Sequence, residues 1–187
     1  MKRNMFENLH LRVILPEIIL MLASVISFLL ALCLPLLALG SELTEDEQRL
    51  MNAYETGDII RLHILANSDS PEDQQIKLQV RDAVLLRFGG ILKNAGTVSP
   101  EEVCAFLALH LDEIDSCAKE AARKAGHTGS IKTEYGLLHL PEKSYGQVIL
   151  PEGDYLGLRI TLGVGQGQNW WCVLYPELCS ELLCQEA

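Results

Sequence analysis

Cys172 closes the run Gln168-Asn169-Trp170-Trp171-Cys172, and it is the residue in this chain best suited by type to nucleophilic chemistry. A reactive thiolate needs a base within hydrogen-bond reach and a third group to orient that base. His63 and His139 are the candidate bases, with an asparagine as the orienting group. No spacing in the sequence brings them together, and the residues before Cys172 match no thiol-protease signature. The residues favour a buried or disulfide-bonded cysteine, and no residue is assigned a catalytic role.

Metal chemistry has as little support. His63, His110, His127 and His139 are scattered, no pair stands at ligand spacing, and there is no Cys-x-x-Cys. No metal site and no cofactor is expected. Gly163, Gly165 and Gly167 suggest a phosphate-cradling loop, but such a loop should open a helix whose N-terminus meets the anion. Here the chain runs into Trp170-Trp171, a strand-like context, so a hairpin loop is the better reading. Adjacent tryptophans on a strand point to opposite faces. One can then fill the core while the other emerges beside the glycine loop, where tryptophan often anchors binding.

The elements that must carry these residues are readable in outline. Asp58 to Ala66 alternates as a strand, with Leu62, Ile64 and Ala66 on one face and Arg61, His63 and Leu65 on the other. Asn67-Ser68-Asp69-Ser70 is a turn. It delivers a helix start with Ser70 as N-cap and Pro71 in the first position. That helix is expected to run to about Phe88, where Gly89-Gly90 weakens or stops it. Ser99-Pro100-Glu101-Glu102 is a capping box opening a second helix that ends at Gly126 and turns Val103, Phe106, Leu107, Ile114 and Ala118 inward. Ser130–Leu140, Gln147–Leu150, Asp154–Leu162 and Trp170–Tyr175 read as strands, with a turn at Pro151-Glu152-Gly153. The pattern predicts an α+β domain with a mainly antiparallel sheet and two packed helices.

Six cysteines divide between Cys33, in an apolar segment, and five beyond it. Cys104 and Cys117, read on one helix roughly 20 Å apart, are too distant to bridge and suit buried positions. Cys172 and Cys179 flank Pro176 and can close a short loop, a link that would contribute about 2–3 kcal/mol.

Ile18 to Leu39 carries no charge and would span roughly 33 Å as a helix, against a bilayer core of about 30 Å. Lys2, Arg3 and Arg12 precede it and Glu42, Glu45, Asp46 and Glu47 follow, so the remainder should emerge on the far side of a membrane. Two readings stand: a signal peptide cleaved after Ala38-Leu39-Gly40, or a signal anchor that keeps residues 18–39 in the membrane. The organisation expected is an export segment over 1–40, an acidic juxtamembrane helix or tether over 41–57, and a folded domain over 58–187. The chain's net charge of −10 argues against nucleic acid or anionic lipid as the partner of that domain.

Two blocks resemble one known family. Arg61-Leu62-His63-Ile64-Leu65-Ala66-Asn67-Ser68-Asp69-Ser70, with Glu72-Asp73-Gln74 and Lys77 to Asp82, is similar to the opening signature of the stage II sporulation protein R family. Tyr145-Gly146, Leu158-Arg159-Ile160, Gly163 to Gly167 and Gln168-Asn169-Trp170-Trp171-Cys172 through Leu178-Cys179 resemble its closing signature. Glu177 stands where a second proline is expected. The resemblance implies a signal made in the forespore and exported between the two membranes. There it would activate a membrane-embedded aspartic protease of the mother cell, which cleaves pro-sigma-E. Such a protein is not itself an enzyme. Asn67, Ser68, Asp69 and Ser70, with Asn169, Trp170 and Trp171, are the candidate partner-binding residues. The contrasting reading is a secreted cell-wall hydrolase working through Cys172 and His63. A third, a structural anchor protein, has no feature arguing for it.

Overall fold

The computed structural model describes residues 16–31, 42–93, 99–176 and 185–186. The chain divides into two compact units, Met1–Glu42 and Leu43–Ala187. In the first, residues 16–31 form helix α1, exposed along its length. The rest of the apolar stretch, and the cleavage reading at Ala38-Leu39-Gly40, lie outside the described residues. Among the described residues no helix is long and apolar enough to cross a membrane.

The second unit is α+β, organised on β1 (Ile60–Leu65). β1 lies in the middle of a five-stranded sheet of order β2-β5-β1-β6-β7, with β2 at Ile131–Leu140, β5 at Gly153–Leu162, β6 at Asn169–Tyr175 and β7 at Gln185–Glu186. The pairing is antiparallel except between β1 and β5, which run parallel. A small hairpin joins β3 (Lys143–Tyr145) to β4 (Val148–Leu150).

Strand alternation sends Leu62 and Ile64 to one face, into a core with Leu158, Ile160, Trp170 and Cys172. Helix α3 (Pro71–Lys93) covers it with Ile76, Val80, Val84 and Phe88, a stripe at four-residue spacing. Helix α4 (Pro100–Leu109) adds Val103 and Leu107, and α5 (Leu111–Lys124) adds Ile114, Cys117, Ala118 and Ala122. The opposite face carries a second core. There α2 (Glu45–Thr56) supplies Leu50 and Ala53, the β3-β4 hairpin supplies Tyr145, Val148 and Leu150, and the sheet supplies Leu138, Trp171 and Val173.

Among the described residues this unit holds four helices: the two packed helices expected, the second of them split in two, and α2, which takes the helical side of the helix-or-tether reading for 41–57. Asp58 is not the start of the fold, because α2 packs on the sheet and the compact unit begins at Leu43. The α2 start is a capping box: Thr44 Oγ1 accepts from the Glu47 N–H and the Glu47 carboxylate accepts from the Thr44 N–H. Glu47 also accepts from the Gln147 N–H at 2.6 Å, fastening the helix to the hairpin. The stretch expected as one helix to Gly126 breaks at His110, which has φ −101° and ψ 12°. Cys104 and Cys117 consequently lie on different helices, and both are free thiols. Gly89 and Gly90 do not stop α3. Each costs about 1 kcal/mol relative to alanine, but buried Phe88, its ring 6.4 Å from that of Phe106, anchors the turn that leads into them.

Candidate functional site

The loop from Gly163 to Gln168 is not a hairpin turn. β5 and β6 are separated by β1, so this loop must cross over the end of β1 where Asn67 to Ser70 leaves the sheet. The crossing brings the two sequence blocks into direct contact. The Asn67 carbonyl accepts from the Gln166 N–H at 3.2 Å and the Ala66 carbonyl from the Gly167 N–H at 3.0 Å. The Asn67 side-chain oxygen accepts from the Val164 N–H at 3.1 Å, and the Asp69 carboxylate accepts from the Gln168 N–H at 2.7 Å.

The same turn is tied to the start of α3. Asn67 Nδ2 donates to Asp73 at 2.9 Å, and the Ser68 hydroxyl donates to the same carboxylate oxygen. Ser70 accepts from the Asp73 N–H at 3.2 Å, the N-cap read from the sequence. The bonds from Ser68 and Asn67 hold the Asp73 carboxyl below the ordinary aspartate range. Lys77 is fully buried and its ammonium reaches Gln74 Oε1 at 2.7 Å and the Gln168 carbonyl at 3.3 Å. The structure thus joins Asn67, Ser68, Asp69 and Ser70 to the approach to Asn169, as one hydrogen-bonded joint.

The tryptophans occupy opposite faces as their adjacency requires, but both are buried, at 1% and 2% exposure. Trp170 fills the helix-side core under the Arg81 guanidinium, 5.4 Å from its ring. Trp171 fills the other core, so neither ring emerges: α2 and the β3-β4 hairpin pack as a layer over the second face. Exposed apolar surface at this end comes instead from Val164, 70% exposed on the crossing loop.

Trp171 is the middle of a buried stack. The His63 ring lies 3.7 Å away, tilted by 12°, and the Arg61 guanidinium sits 4.9 Å from Trp171 and 4.9 Å from Tyr155. Arg61 is fully buried, and its Nη1 donates to the Pro141 carbonyl at 3.4 Å. Burial, aided by the charges of Arg159 and Arg61, pushes the His63 imidazole down to about 3, against a weaker opposing pull from Asn169. The unfolded chain takes up this proton near pH 6.5, whereas the native one refuses it until about pH 3. His63 therefore contributes stability in full above pH 6.5, and that contribution is lost as pH falls towards 3. The slope from this group is up to about 1.4 kcal/mol per pH unit. Urea midpoints of the wild type and His63→Phe between pH 7 and pH 4.5 test this: the variant should show the flatter profile, and equal slopes would contradict it.

The nucleophile reading fails on geometry. His63 pairs with Trp171 across the β1-β6 ladder, while Cys172 pairs with Leu62 and faces the helix-side core. Cys172 is fully buried and disulfide-bonded. His63 and Cys172 thus point to opposite sides of the sheet. Cys179 lies outside the described residues. His139 is exposed, its ring nitrogens held by Asp154 at 2.9 Å and Glu152 at 3.0 Å, far in sheet position from Cys172. Among the described residues no group of three or more His, Cys, Asp or Glu could hold a metal ion.

Comparison with known proteins places a family on this architecture. The family described as Stage II sporulation protein R matches residues 56–183, which include both sequence blocks and the joint between them. A Bacillus subtilis (strain 168) protein named Stage II sporulation protein R is 44% identical over 120 residues, covering 64% of this chain and 53% of that relative. The chain thus matches about half the length of that relative. No solved structure matches.

Proposed function

The chain belongs to the Stage II sporulation protein R family, and from that membership we propose that it is an exported intercellular signal of endospore formation. In this reading the Leu43–Ala187 unit is made in the forespore and delivered between the two membranes. There it activates a membrane-embedded aspartic protease of the mother cell, and the protease cleaves pro-sigma-E. The observation that carries the reading is the family match over residues 56–183. Residues 18–39, with basic residues before and acidic residues after, supply the export or anchor segment.

Activation needs only that the domain bind the active state of the protease more tightly than the inactive one. The docking edge is the joint formed by Asn67 to Ser70 and the crossing loop through Asn169. Asp69, Ser70 and Val164 form its outer surface, and Trp170 and Trp171 support it from inside. An endospore-forming host lacking its own family member tests the reading. Forespore expression of this chain should restore pro-sigma-E cleavage, and its persistent absence with normal export and level would overturn it.

Export also bears on Cys172. The bridge in this reading joins Cys172 to Cys179 in an oxidising compartment. Peptide mapping of the secreted, unreduced protein should yield a fragment linking those two residues, whereas a link from Cys172 to Cys184 would refute that pairing.

A further inference from the structure

The end of the sheet opposite the crossing loop carries an unexplained combination of features. β2 is an edge strand, ten residues long, with no strand on its outer side among the described residues. Natural edges of this length are blunted with charge or covered, and Lys132, Glu134 and His139 do this over part of β2. Protection lapses at Gly136-Leu137. Leu137 is 70% exposed although its ladder partner Leu156 is half-buried against the core.

Beside Leu137 opens a cleft of about 460 Å³ whose walls include Tyr54, Tyr155 and Leu156. Tyr54 is itself 39% exposed. Glu152 and Asp154 stand in the same lining, and no lysine or arginine does. Both carboxylates engage the single imidazole of His139, so the rim stays net negative even with that ring protonated.

We propose that this cleft and the free edge of β2 bind an extended segment of the activated partner. The segment adds a strand to β2, seats one large apolar side chain against Tyr54, Leu137 and Leu156, and places a lysine or arginine at Glu152 and Asp154. Strand addition supplies main-chain hydrogen bonds to an edge, while side-chain pockets supply specificity. The charge pattern selects the occupant. An anionic lipid surface is repelled by the acidic rim, and two copies of a chain of net charge −10 repel each other. β2 starts beside Gly163, since the Gly163 N–H bonds the Ser130 carbonyl, and it ends beside Gly153. A segment lying along it would reach from the crossing loop to the cleft, roughly 34 Å at strand rise.

The inference rests on the reading that the partner is the protease, and the test separates the two. The full chain is co-expressed with the protease and pro-sigma-E in a non-sporulating host. The variants are Leu137→Asp, Glu152→Lys and, as a control on α3, Leu86→Asp, where the side chain is 87% exposed. Leu137→Asp should reduce cleavage at least tenfold and Glu152→Lys severalfold, with Leu86→Asp within twofold of wild type at equal exported level. A photo-crosslinker at position 137 should join the protease. A working wild type with both β2-end variants within twofold overturns this inference alone, and so does a crosslink between two copies of the chain. A wild type without activity sinks the underlying reading and this inference with it.

Discussion

Trp170→Ala destabilises the folded domain by about 3–5 kcal/mol, the range for removing a buried aromatic side chain from a packed core. Trp170 is 1% exposed and packs in the same core as Ile64, Leu158 and Ile160. Its loss opens a cavity under α3 and α4 and also removes the ring that faces Arg81. Against a typical stability of 5–15 kcal/mol, a change of this size consumes most of the margin at the lower end. Any loss of signalling in this variant should therefore follow from a lower urea midpoint and a reduced exported level. A Trp170→Ala protein with an unchanged midpoint that still fails to signal would show that the ring acts at a surface instead.

Gly167→Val should be the most damaging change in the crossing loop, costing about 3 kcal/mol or more, at the upper end of overpacking effects. Any side-chain carbon at this position would run into the Ser68 carbonyl, and it would also stand 2.9 Å from the Ala66 side chain. The obstacle is backbone, which cannot swing aside as a flexible side chain can. The loop must lift off β1, breaking the Gly167–Ala66 and Gln168–Asp69 bonds together. The matching variant Gln166→Val leaves the approach at Gly167 untouched, and it should stay within about 0.5 kcal/mol as a surface change. Thermal melts of the two variants beside wild type separate the cases, and equal melting temperatures for Gly167→Val and wild type would contradict the close approach.

Local chemistry accounts for what was legible in the sequence. The strands at Ile60–Leu65, Ile131–Leu140, Gly153–Leu162 and Asn169–Tyr175 announce themselves by alternation and flanking turns. Ser99 capped α4 with Glu102 as its spacing indicated. What stayed hidden depended on contacts between distant residues. α2 reads no further than a polar helix or tether, with its packing on the sheet hidden, because only Glu47, Leu50 and Ala53 of its twelve residues are buried, yet Thr44-Glu45-Asp46-Glu47 carried a capping-box signal. β3 is three residues long and has no pattern to detect. The parallel pairing of β1 with β5 joins residues roughly a hundred positions apart, and no local feature encodes it. That pairing puts β1 between β5 and β6, which turns an apparent hairpin loop into a crossing.

The same logic explains the candidate site. The two blocks were conspicuous as residues, and the structure supplies the reason they belong together: one is the exit of the central strand and the other is the loop that passes over it. Trp170 and Trp171 looked like a surface because alternation sends one ring away from the helices. The layer that covers the second ring comes from α2 and the β3-β4 hairpin, the two parts least visible in the sequence.

In the function proposed, this chain activates a protease from outside its membrane. The most direct test measures the fraction of pro-sigma-E cleaved in a non-sporulating host that carries the protease, with and without exported chain. Cleavage that appears only when the chain is exported, and disappears when residues 1–40 are deleted so that it stays in the cytoplasm, is the expected result. An uncleaved pro-sigma-E beside correctly exported protein, or equal cleavage without the chain, would contradict it.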